Sequence, residues 1–142
     1  MDKNTKTALS EFSRRAMQRL EDKKLTKTRT LYIPSLDDTI TIRNLRYAEI
    51  ADTANMDSES DPNRGDKYVI YQGVQTPNLQ TAAKQIMQEE ASLAPEERML
   101  HEPLDIVDMF EIAEIHEIAM EIMRLSGVIS DKKVTVVDAL KN

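Results

Sequence analysis

Pro103–Gly127, PLDIVDMFEIAEIHEIAMEIMRLSG, is the stretch on which the reading of this chain turns. Ile112, Ile115, Ile118 and Ile122 recur at spacings of three and four, which places them on one face of a helix. Glu111, Glu114, Glu117 and Glu121 repeat one residue earlier, so a carboxylate stripe runs beside the isoleucines. Ile106, Phe110, Ala113, Met120 and Met123 widen the apolar sector. A helix this apolar is buried on most sides or meets a partner. Pro103 suits a first helical position and Gly127 a helix stop, so one long helix is predicted between them. Ile106, Phe110 and Ala113 are assigned to the core. Met109, Ile112, Ile115 and Met123 are the candidate partner-binding residues.

Upstream, the period changes along the chain. Thr7 to about Lys24 is helical, with residues 1–5 expected to fray. Leu9, Phe12, Ala16, Met17 and Leu20 share one face, and Arg14, Arg15, Arg19 and Lys23 lie largely off it. Leu31 and Ile33, then Ile40 and Ile42, alternate with polar residues around Pro34-Ser35-Leu36-Asp37-Asp38, which predicts a β-hairpin over 28–44. A lone hairpin is marginal in water, so it must pack on helices or pair with another strand. Leu45 to about Ala54 returns to helix, with Leu45, Ala48 and Ile50 as candidates for burial. DSESDPNRG, 57–65, reads as a loop. For 67–75 the β-branched content fits a strand. The three-residue spacing of Tyr68, Tyr71 and Val74 fits a short buried helix, and the helix is preferred. Pro77-Asn78 opens a helix from Leu79 to about Ser92, followed by a linker or short helix over 94–102. Val134–Leu140 reads as a short strand or a tail. The fold class is therefore mainly α with some β: a helical domain, 28–127, with one hairpin near its start. A basic helical arm, 1–27, precedes it and a short tail, 128–142, follows.

The 142 residues fit a single domain, and only 4% are aromatic, so the core must rest on Leu, Ile, Val, Met and Ala. Net charge is −6, which argues against a general nucleic-acid surface. Residues 1–30 hold nine Lys or Arg and four Asp or Glu, whereas the rest holds ten and 21. A basic arm beside an acidic body suggests docking within a chain or head-to-tail contact between copies. Arg14, Arg15 and Arg19 on the arm and Glu111, Glu114 and Glu117 on the body are the candidate residues for such electrostatic self-association. With no Cys, disulfides and thiolate metal sites are excluded. No run has the ~20 apolar residues of a membrane span, so a soluble, cytoplasmic protein is expected.

Catalytic patterns fail one by one. His116-Glu117 begins a zinc motif whose second His would fall at Met120. Three Gly leave no phosphate-cradling loop, and two His, at 101 and 116, give a triad little to draw on. Tyr68 and Tyr71 read better as core than as a base-stacking pair. The residues point to a non-enzymatic interaction protein with no cofactor and no metal.

The order of these elements carries a resemblance. A polar helix leads into LYIPSLDDTITIRNL, then RYAEIADTA, then KYVIYQGVQTPNLQ, and the chain closes with EPLDIVDMFEIAEIHEIAMEIMRLSG. Over about residues 25–127 this layout resembles the XkdN-like tail assembly chaperones of PBSX-type prophages. The resemblance implies a protein of the host bacterial cytoplasm that binds the tail tape measure protein and keeps it soluble. It would help recruit tail tube protein and be absent from the mature virion. It further implies a longer frameshifted form of the same chain as a partner. Leu140-Lys141-Asn142 is compatible with the slippery codons TTA-AAA-AAC. A structural tail component and a cytoplasmic adaptor unrelated to phage are the rival readings.

Overall fold

The computed structural model describes residues 3–130 together with Val134 and Val137. It is mainly helical with one small sheet. Helix α1, Lys3–Asp22, begins earlier than the sequence pattern indicates. Strands β1, Thr28–Ile33, and β2, Asp38–Arg43, form the expected hairpin. Thr28 faces Arg43 at its base and Ile33 faces Asp38 at its tip. A 3-10 turn, Pro34–Leu36, joins them, and Asp37 closes it in the left-handed region at φ 47°. Aspartate tolerates that conformation better than most residues, because its short side chain bonds locally. Here its carboxylate accepts the Tyr32 hydroxyl at 2.7 Å. Ile40 and Ile42 point inward and are almost wholly buried, as the period-two pattern requires.

Helix α2 covers only Tyr47–Ala51. Leu45 is buried ahead of it, Ile50 is partly buried, and Ala48 is exposed, contrary to expectation. The bidentate pair of Arg43 and Glu49, at 2.7 and 3.1 Å, fastens this short helix to β2. The segment 67–75 resolves into both of its readings. Helix α3 spans Arg64–Gly73, and strand β3, Val74–Thr76, follows at once. β3 pairs antiparallel with β2 through a register shift between Thr41 and Ile42, giving the order β1-β2-β3. Helix α4, Leu79–Glu89, starts at Asn78, whose side chain accepts the Thr81 N–H at 2.9 Å.

The long helix predicted from Pro103 is broken. Pro103–Met109 is 3-10 helix, and helix α5 runs only over Ile112–Leu125. Between them Phe110 and Glu111 are extended, at ψ 153° and 156°. Two local forces account for the break. The extended backbone turns Phe110 into the core, where it is 4% exposed. The Glu114 carboxylate then accepts the Glu111 N–H at 2.8 Å and opens a new helix.

Helices α3 and α5 pack closely across the sheet. A Cβ added to Gly73 would lie 2.7 Å from Ile122 Cδ1, so only glycine lets the two helices approach this far. Ile42, Ile70, Val107, Ile118 and Ile122 form the deepest layer. Helix α5 runs along the hairpin from tip to base. Glu114 accepts from Ser35 at the tip, Glu121 pairs with Arg29 at 3.0 Å, and Ser126 Oγ accepts the Leu45 N–H at 2.8 Å. Most of Val134–Leu140 lies outside the described residues.

Candidate protein-interaction site

Helix α5 is chiefly a core helix. Ile115 is 3% exposed, so it is removed from the candidate partner-binding residues. Met123 is partly buried against the core and offers little surface. The isoleucine face turns inward because α3 and the hairpin both lie against it. Its first turn overhangs the core. Ile112 is therefore 74% exposed, and Met109, on the 3-10 segment, is 51% exposed. Ala113, expected in the core, is exposed for the same reason.

Carboxylates gather around this overhang. Asp108, Glu111 and Glu117 are exposed on the chain that carries Met109 and Ile112. The hairpin tip adds Asp37, Asp38 and the part-exposed Leu36, because the Ser35 hydroxyl reaches Glu114. The candidate carboxylates are not equivalent. Glu114 is engaged twice, and the Ser35 hydroxyl, then the Glu111 N–H, hold its carboxyl below the ordinary range. Asp108 binds Lys67 Nζ at 2.9 Å. Glu117 forms no ion pair or side-chain hydrogen bond among the described residues. Arg14, Arg15 and Arg19 are likewise exposed and unpaired there, so the described part of the body does not neutralise these three cations.

A second surface escaped the sequence reading. An open, mostly apolar groove of ≈ 560 Å³ runs along α4. Gln80, Lys84, Met87 and Gln88 form one wall, with Ala91 just beyond the helix end. Tyr71 of α3 and Pro103 form the other, and burial pushes the Tyr71 phenol up. Leu79 and Ala83 are the buried residues of α4, and Ala82, Ile86 and Met87 pack partly buried beside them. The signal for the groove is weaker: Lys84, Met87 and Ala91 recur at three and four residues, but only two of them are apolar. Beyond the groove's end, Arg98 donates its guanidinium to the carbonyls of Ala91 and Leu93.

Among the described residues no three His, Asp or Glu are grouped to hold a metal ion, and no helix is long and apolar enough to cross a membrane. No protein-family model, curated protein or solved structure matches this chain.

Proposed function

We propose that this chain is a tail assembly chaperone, which binds the tape measure protein of a phage or prophage and keeps it soluble while tail tube protein is recruited. The order of elements from the hairpin to the closing LSG supports the reading. The observation that carries it is the α4 groove. A tape measure is long and helical, and a helix presents its apolar residues at three- and four-residue steps. An open groove lined by Tyr71, Met87 and Ala91 along about 17 Å of helix accepts three turns of such a client. Methionine at its centre suits a succession of non-identical client segments. Gln80, Lys84 and Gln88 supply polar contacts that water can replace, which suits release once the tube is built.

The test is co-expression with the tape measure protein of the same gene cluster, scoring client solubility and co-purification. Soluble client with the wild-type chain, and insoluble client with Ala91→Arg, is the expected result. Ala91 is exposed, so the arginine fills the groove without touching the core. Client that stays insoluble beside the wild-type chain overturns the reading. Recovery of the chain in purified particles would instead make it a structural tail component.

A further inference from the structure

Helix α1 carries an apolar stripe that the described residues leave open. Leu9, Phe12 and Leu20 are 53, 67 and 62% exposed. With Ala16 they fall within about 80° of arc on the helix. Arg15 and Arg19 line one edge of that stripe. Most of a protein helix's stability comes from packing its apolar face, so covering the stripe would stabilise α1.

A matching surface lies at the far end of the same body. The arm joins β1 at the hairpin base, where the Lys27 N–H reaches Asn44 Oδ1 at 2.8 Å. Met109 and Ile112 lie at the tip, beyond six residues of strand, or roughly 20 Å. That corner is apolar at its centre, with Glu111 between Met109 and Ile112 and the exposed Glu117 further along the same helix. Its chemistry is the complement of the arm's: apolar against apolar, carboxylates against guanidiniums.

We propose that α1 of one copy lays its Leu9–Leu20 stripe on the Met109–Ile112 corner of a second copy, with Arg15 and Arg19 against its carboxylates. The two surfaces differ and sit at opposite ends of the body. The contact is therefore head-to-tail and propagates into a chain of copies, or a ring if the rotation closes. Pairing of two arms is disfavoured, because it brings Arg15 and Arg19 of one arm near those of the other.

The full chain alone, without client, tests this by sedimentation across concentration and salt. Wild type is expected to form a ladder of species whose association weakens roughly tenfold or more between about 0.02 M and about 0.5 M salt. Phe12→Asp, with a spoiled arm, and Ile112→Asp, with a spoiled corner, should each be monomeric. Mixed in equal amounts they should give a one-to-one dimer and nothing longer, since one good arm and one good corner remain. Glu117→Lys replaces Ile112→Asp should the latter not fold. A wild type that stays monomeric at low salt overturns the proposal, as does a corner variant that associates like wild type or a mixture that fails to pair. None of these outcomes depends on whether the tape measure is the client.

Discussion

Helices α1 and α5 each carry large apolar residues at three- and four-residue spacing, yet only one of the two lines is covered. Ile115, Ile118 and Ile122 of α5 are 3, 2 and 0% exposed, whereas Phe12 and Leu20 of α1 are 67 and 62%. What α5 has is a prepared neighbour. Gly73 admits Ile122, and Ser35, Arg29 and Leu45 hold its turns to the hairpin. Helix α1 is joined to the body through the backbone at Lys27 and Asn44. Periodicity says which face of a helix wants cover; the rest of the chain decides whether the cover is its own.

The sharpest way to break this contrast is at Ile115. Ile115→Ala should cost about 3 kcal/mol, through lost burial and a cavity, read as a lower urea midpoint. A change below about 0.5 kcal/mol, the range of ordinary surface substitutions, would return Ile115 to the surface. Gly73→Ala comes next. Its methyl group meets an Ile122 that is 0% exposed, and overpacking of this kind costs about 1–3 kcal/mol. An unchanged midpoint would mean that α3 and α5 sit further apart.

An acid titration probes the smaller ties. The Arg43 side chain holds the Glu49 carboxyl below its ordinary 4.5, with help from the Arg46 N–H. The folded value is the lower one, so the stabilisation is complete above the unfolded value and fades as pH falls through the folded value. Both groups are partly exposed, which limits it to about 1 kcal/mol or less. Glu49→Gln should flatten the stability profile below pH 4.5, and an unaltered profile would show that other carboxylates set it. The smallest effect belongs to the arm. Phe12→Ser should move the stability of the monomeric body by less than about 0.5 kcal/mol. A larger loss would place α1 in the domain after all.

The hairpin was legible because alternation and turn residues agree, and α4 because Asn78 and its apolar face agree. The break at Phe110–Glu111 was not, because every residue from Leu104 to Met123 suits a helix when taken alone. It took the depth of Phe110 and the bond between Glu111 and Glu114 to divide the segment. Ile112 and Ile115 show the same limit at the candidate site. They are chemically identical and share a helical face, but one overhangs the core and the other fills it. The α4 groove needed tertiary contact to exist at all, since Tyr71 and Pro103 reach it from other elements.

The meeting of Gly73 with Ile122 also has a consequence in time. A ribosome adds roughly 5–20 residues per second. The apolar floor of α3 and the hairpin therefore exists for about 2–10 s before the isoleucines that roof it have been synthesised. Through that interval the nascent chain presents the same kind of bare apolar surface that it is proposed to shield on another protein.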